Sequence, residues 1–295
     1  QLARITITVL SSSCGNTFDP PKGTILSESG ILSAIRNRLS IDWGSGVPTL
    51  SHHTIQLPNW PQDMDGYRIA HLSDFHCRPS ITFQDLADLV EQVDSVNANL
   101  VAMTGDFTDR TDPQTFARLG EFADGIAAPD GVIAVFGNHD HITGAAEVER
   151  ALVSGGVEIL EGRGRLASDN NSGVWVCGVG DLDQDIIDLD GALANAPPDC
   201  VVLLLAHHPD TRLVIEGRGV DVIFSGHTHG GQVCLPGGRA VVSNVLLPMG
   251  EITGLQWSNG TAQVMSRGIG WTGLPLRLWC PPEIPVVTFY RSRAD

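Results

Sequence analysis

The chain has 295 residues, 42% of them hydrophobic and 18% charged, which is enough to bury one large core or two modest ones. Its 18 Lys and Arg against 34 Asp and Glu leave a formal charge of −16 and a pI near 4.8, a poor basis for non-specific nucleic-acid binding, which depends on cationic side chains neutralising phosphates. No run approaches the roughly eighteen consecutive apolar residues of a membrane helix, so the chain reads as soluble.

Residues 1–50 show little periodicity and are read as an N-terminal extension of uncertain structure, with 44–48 as a linker and 51–295 as one domain. The chain opens at Gln1, which is compatible with an anchor trimmed from upstream and with export or membrane association in a bacterium. Residues 9–15 faintly resemble a processing or lipid-attachment site, but the apolar stretch before Cys14 is short and has no basic flank.

From residue 66 onward, strand-like runs alternate with helical patterns. The runs are 67–72, 100–103, 132–136, 174–179, 201–205 and 221–224. Phe83, Leu86, Leu89, Val90, Val93 and Val96 follow helical spacing, and Thr82 with Asp85 makes a capping box. Further helices fit 113–126, 145–153 and 186–194. Such alternation implies an α/β domain with a largely parallel sheet and ligand sites beyond the carboxyl ends of its strands. The tail, 232–290, reads as short strands at 264–266 and 286–290 that complete a second sheet.

The six cysteines, Cys14, Cys77, Cys177, Cys200, Cys234 and Cys280, are widely spread with no CxxC pair, so neither a zinc knuckle nor a small disulfide scaffold is indicated. Cys177 and Cys200 adjoin apolar runs and read as core.

Polar stretches follow directly on five of the apolar runs: Asp74-Phe75-His76, Gly105-Asp106, Gly137-Asn138-His139-Asp140, Ala206-His207-His208-Pro209 and Gly226-His227-Thr228-His229. Carboxylate, amide and imidazole together form the mixed oxygen and nitrogen donor set that first-row divalent metals accept. In an extended DxH, positions i and i+2 point to one side, so Asp74 and His76 can face one cation while Phe75 turns to the core. Any one stretch is weak evidence, but five in this order after strands are not.

Taken in order, these stretches resemble the signature DxH, GD, GNH[DE], H, GHxH of the calcineurin-like metallophosphoesterase superfamily, over roughly residue 66 to the end. The extended forms Leu205-Ala206-His207-His208-Pro209-Asp210, Ser225-Gly226-His227-Thr228-His229-Gly230-Gly231-Gln232 and Ser266-Arg267-Gly268-Ile269-Gly270 resemble its small bacterial YkuE- or YaeI-like branch. The resemblance implies a four-layer α/β/β/α sandwich of two mixed sheets flanked by helices. It implies one divalent cation on Asp74, His76, Asp106 and His229, and a second on Asp106, Asn138, His207 and His227, with Asp106 bridging. His207 fits the isolated histidine of the family better than His208.

The implied reaction is hydrolysis of phosphate esters, phosphodiesters foremost, by a hydroxide bridging the two cations. Two cations (+4), two aspartates (−2) and that hydroxide (−1) leave about +1, which attracts an anionic phosphate despite the acidic chain. His139 is then the candidate for protonating the leaving alkoxide, and Asp109, from the pattern Gly105-Asp106-Phe107-Thr108-Asp109, the candidate for orienting it. Purple acid phosphatases carry a tyrosine where this chain has Asp109, so ferric iron is disfavoured and Mn, Fe(II), Zn and Ni stay open.

Within the same chemistry the alternatives are a phosphomonoesterase and a nucleotide-sugar lipid pyrophosphatase, so the substrate is a small-molecule or lipid phosphate ester. Outside it stands a catalytically silent protein-binding scaffold. Arg110 and Arg267 are candidate phosphate contacts or solvated charges, and His141 and His208 candidate substrate contacts. His71 and Cys77 read as packed interior groups, and His52 and His53 as surface. Gly230, Gly231 and Gln232 either shape the pocket mouth or only make a turn.

Overall fold

Two mixed sheets lie face to face because their strands carry apolar side chains on both faces. The computed structural model describes residues 47–169 and 173–292; most of the extension and its linker, together with Cys14, lie outside them. In chain order the strands are β1 (Thr49–Leu57), β2 (Tyr67–Leu72), β3 (Leu100–Met103), β4 (Val132–Ala134), β5 (Glu158–Ile159), β6 (Arg163–Leu166), β7 (Val174–Gly178), β8 (Val201–Leu205), β9 (Val222–Ser225), β10 (Cys234–Leu235), β11 (Arg239–Ala240), β12 (Gly254–Ser258), β13 (Thr261–Met265) and β14 (Glu283–Arg291). The α-helices are α1 (Phe83–Ser95), α2 (Pro113–Gly125), α3 (Asn138–Thr143), α4 (Ala145–Ser154), α5 (Leu189–Leu193) and α6 (Thr211–Val214).

The first sheet has the order β1-β14-β2-β3-β4-β5 and the second β12-β13-β9-β8-β7-β6. β2, β3, β4 and β5 run parallel, as do β7, β8, β9 and β13, while β14 is antiparallel to β2, β12 to β13 and β6 to β7. Alternation along the strands builds the layers. Ile69, Leu100, Ala102 and Ile133 point inward to meet Val176, Leu203, Phe224 and Val264 of the second sheet. Ala70, Leu72, Val101 and Met103 point outward against Leu89, Leu119, Phe122 and Leu152 of α1, α2 and α4. Trp175, Val202, Leu204 and Ile223 cover the far face of the second sheet together with Leu189 and Ala192 of α5. The result is the expected α/β/β/α sandwich. No helix among the described residues is long and apolar enough to cross a membrane.

The capping box forms as expected: Asp85 N–H donates to Thr82 Oγ1 (3.1 Å) and Thr82 N–H to Asp85 Oδ2 (2.7 Å). Three sequence expectations need correction. The helix expected at 186–194 shrinks to α5, because Asp188 caps it late by accepting from Gly191 N–H (2.8 Å), while Asp181 caps a separate 3-10 turn, Leu182–Gln184. The tail does not all join the second sheet: β12 and β13 do, but β14 inserts between β1 and β2 of the first. Thr49 and Leu50, at the end of the stretch read as extension, open β1, which pairs with β14 along its whole length.

Candidate metal centre

All five polar stretches leave the carboxyl ends of neighbouring strands, β2, β3 and β4 from one sheet and β8 and β9 from the other, so they converge on a single rim. The chain breaks regular geometry to make them converge. Asp74 (φ 52°), His76 (φ 43°), Asp106 (φ 54°), His227 (φ 69°) and His229 (φ 50°) all take left-handed backbone, which costs such residues on the order of 1 kcal/mol or more each. Asp74 and His76 do share a side while Phe75 packs on Phe107 and Phe122 (5.4 and 5.2 Å between ring centroids), but on strained rather than extended backbone.

The glycines of two stretches make room for carboxylates of others. A Cβ on Gly137 would collide with Asp106 Oδ1 and one on Gly226 with Asp74 Oδ2. Backbone donors orient the same carboxylates. His139 N–H reaches Asp106 Oδ1 (3.0 Å), and His227 N–H reaches Asp74 Oδ1 (2.9 Å) across the two sheets.

Around Asp106 the donor atoms crowd together. His76 Nε2 lies 3.5 Å from Asp106 Oδ2 and 3.1 Å from His229 Nε2, which is itself 3.5 Å from Asp74 Oδ1. Asp74, His76, Asp106 and His229 each offer one atom within 4.8 Å of the others. On the other flank of Asp106, His207 Nε2 lies 3.4 Å from Oδ2, and nearby His227 Nδ1 lies 3.1 Å from Asn138 Oδ1.

Hydrogen bonds distinguish the two adjacent histidines. His207 Nδ1 is 2.5 Å from the Thr104 carbonyl oxygen, which can only accept. Nδ1 therefore carries the proton and Nε2 presents a lone pair. His208 Nδ1 instead accepts the Asp210 N–H (3.2 Å), so its Nε2 carries hydrogen and faces Asp183 Oδ1 (3.6 Å). Asp183, His208 and His227 also have atoms within 4.8 Å of one another, but this tautomer makes His208 a donor rather than a ligand.

Protonation reflects the crowding. Burial opposes charge on Asp106, yet His207 and then His76 hold its carboxyl well below the usual carboxylate range. Burial opposes charge on His207 too, but Asp106 outweighs it and lifts the imidazole to about 10. Burial raises Asp74 to about 6 and lowers His76 to about 3 and His227 to about 2. His229 falls well below its ordinary value through burial and the neighbouring His76 and Arg277. Asp74 Oδ2 and His207 Nε2 are buried without a hydrogen-bond partner, each an omission worth about 1–3 kcal/mol. Buried, unpartnered donors among neutral imidazoles and carboxylates fit divalent cations, which on binding displace the proton held between Asp106 and His207.

The surrounding residues only partly match expectation. His139, on the first turn of α3, sets its ring edge-on to His76 (centroids 4.8 Å apart). Asp109 does not orient it: Arg78, stacked 3.6 Å from the Trp271 ring centroid, draws Asp109 Oδ2 to 3.0 Å and leaves it behind His76, 3.9 Å from Nδ1. Arg267 is taken by Thr253 (3.2 Å) and Glu283 (3.5 Å), and the exposed Arg110 by Asp109 (3.5 Å). His141 pairs with Glu161 (3.6 Å). His71 is buried between the sheets on Thr104 Oγ1 (2.8 Å), and Cys77 is packed, as read from the sequence. His52 is exposed, while His53 is half-buried. Gln232 clamps the following loop through Thr272 N–H (2.9 Å) and the carbonyls of Thr272 and Leu274 (3.0 Å each).

Several supports carry no sequence signal of their own. Asp140 accepts from Phe107 N–H (2.8 Å) and Gly137 N–H (2.9 Å), tying two site loops together. Asp210 accepts from Leu246 and Leu247 N–H (2.7 and 3.1 Å) and pins the loop that sets Asn244 against His227 Nε2 (2.8 Å). As placed, the Asn244 amide donates to Nε2; turned over, its oxygen would accept there, leaving Nδ1 free for a cation. Asp140 and Asp210 end motifs whose other members drew the attention, and Asn244 lies in an irregular stretch with no motif.

Comparison with known proteins agrees with this geometry. Residues 67–231 match the family model for calcineurin-like phosphoesterases. The chain is 30% identical over 243 residues to the metallophosphoesterase YkuE of Bacillus subtilis, covering 81% of this chain and 84% of that one. It is 24% identical over 289 residues to the UDP-2,3-diacylglucosamine pyrophosphatase LpxG of Chlamydia muridarum, covering 79% and 86%. Among solved structures, a 5'-nucleotidase from Staphylococcus aureus superposes with a TM-score of 0.44 at 12% identity, over 78% of this chain and 55% of that one.

Proposed function

The chain belongs to the calcineurin-like phosphoesterase family, and on that premise we propose that it is a phosphodiesterase working with two divalent cations. Phosphoester hydrolysis follows from the family; the diester preference and the residue roles are the proposal. In this reading Asp74, His76, Asp106 and His229 hold one cation, and Asp106, Asn138, His207 and His227 the other. The observation that carries it is the lone pair of His207 Nε2, buried and unpartnered 3.4 Å from Asp106 Oδ2. When bound, two cations supply Lewis acidity to the phosphoryl oxygens and lower the pKa of water.

The chain's own groups do the rest. Asp74 and Asp106 supply the negative charge that gathers cations in an otherwise imidazole-lined rim. His139 stands with its backbone fixed by Asp106 and its ring facing His76, where it can protonate the leaving oxygen. His208 presents Nε2–H beside the His227 ring (centroids 4.2 Å apart) and donates to the phosphoryl group. Asp109 and Arg78 back His76 and keep its ring in place.

The test is hydrolysis of bis-(p-nitrophenyl) phosphate against p-nitrophenyl phosphate by chelated protein resupplied with Mn, Fe(II), Zn or Ni. Faster diester turnover is expected. Monoester preference would replace the diester reading with a phosphatase, and cleavage of a sugar-lipid pyrophosphate alone would favour the activity that LpxG's name gives it. Full metal content without hydrolysis of any of these would leave a silent scaffold.

A further inference from the structure

The fold brings together two thiols that lie far apart in the chain. Cys234 in β10 and Cys280 just before β14 are both buried and free, in a small apolar cluster with Ala240 and Ile252. Their sulfurs converge on one acceptor: Cys234 Sγ is 3.2 Å and Cys280 Sγ 3.6 Å from the Gly230 carbonyl oxygen. Cys280 Sγ is also 3.2 Å from the His229 carbonyl oxygen. The backbones are held in register, with Cys234 N–H on Leu278 O (2.8 Å) and Leu278 N–H on Gln232 O (3.0 Å). We propose that Cys234 and Cys280 form a disulfide when the chain folds in an oxidising compartment, and that the link locks the turn carrying His229.

Two thiols that share a carbonyl make only weak hydrogen bonds, so joining them sacrifices little and replaces two soft contacts with a covalent one. The turn they flank needs holding, since His229, Gly230, Gly231 and Gln232 all take positive φ. Both cysteines are too buried for an oxidant to reach in the folded protein, so the bond forms during folding and is then shielded from reduction. The chemistry is thiol–disulfide exchange with a disulfide-bearing oxidoreductase or a small-molecule disulfide. One thiolate attacks the oxidant's disulfide to give a mixed disulfide, and the second thiolate displaces the oxidant's remaining sulfur. Two protein S–H bonds are lost, one S–S bond forms, and the oxidant leaves as two thiols. The cross-link stands on geometry alone; only its effect on cation retention rests on the ligand role proposed for His229.

The full chain is to be refolded in a buffer of reduced and oxidised glutathione, alkylated under denaturing conditions and mapped by mass spectrometry. Recovery of a linked Cys234–Cys280 peptide pair is expected, with the other four of the six cysteines alkylated. Alkylation of both Cys234 and Cys280, or linkage of either to another cysteine, would overturn the disulfide. Cys234→Ser should fold, leave Cys280 alkylated and show no new pairing. Zinc loaded into oxidised and reduced refolded protein should leave several-fold more slowly for a chromogenic chelator in the oxidised form; equal release rates would overturn the locking of the His229 turn while leaving the cross-link intact.

Discussion

The two sheets furnish the rim unequally. The first contributes both carboxylates, the amide of Asn138 and two imidazoles, His76 and His139; the second contributes only imidazoles, His207, His227 and His229. All the negative charge therefore sits on one side. The imidazoles opposite must be free of excess protons before a cation can join the halves. Burial does this for His227, and burial with His76 and Arg277 does it for His229. His207, charged by Asp106, is where the halves already share a proton. Where two separately built sheets meet at a polar seam, bound cations act as ties as much as reagents.

The most damaging way to break that seam is to remove the charge it turns on. Asp106→Asn is expected to lower turnover by orders of magnitude and reduce metal content below two per chain by elemental analysis; near-normal turnover with a full complement would remove the bridging role. His139→Ala should keep both cations and lose about 10²- to 10⁴-fold in rate for alkyl esters, with a smaller loss for nitrophenyl esters. Equal losses for good and poor leaving groups would argue against proton donation by His139.

The second-sheet side is sharpened by its paired histidines. His207→Asn should lose a cation, whereas His208→Asn should retain both and raise KM by about 10-fold, as for one hydrogen bond to a charged group. Metal loss from the His208 variant would reverse the two assignments.

The smallest effect concerns a histidine that faces the other sheet far from any cation. Burial holds His71 at about 3, below its ordinary 6.5. As pH falls, the unfolded chain takes up that proton first. Its contribution to stability is therefore present above about pH 6.5 and lost on acidification towards pH 3, at no more than about 1.4 kcal/mol per pH unit. Urea midpoints at pH 7 and 5 should differ less for His71→Gln than for the parent protein; an unchanged difference would show that His71 plays no part.

Much of this was legible because strand ends and motif positions coincide. Asp74, Asp106, His207 and His229 could be placed from local pattern, since a strand that stops at a polar residue projects it at the rim. The partner of Asp109 could not, because Arg78 and Trp271 reach it from segments remote in sequence. Asn244, Cys234 and Cys280 were illegible for the same reason: their meaning depends on where the tail returns. That β14 threads between β1 and β2 also escaped local reading, because an apolar alternating strand fits either sheet equally well.

Asp74, His76, Asp106, His227 and His229 keep left-handed backbone only because their side chains are needed there. Glycine at any of them would relax the chain and delete a donor in one step. Selection for thermal endurance and selection for turnover thus oppose each other at these five positions. A laboratory evolution run that screened for heat resistance alone would be expected to erode them first, reaching a sturdier protein that does nothing.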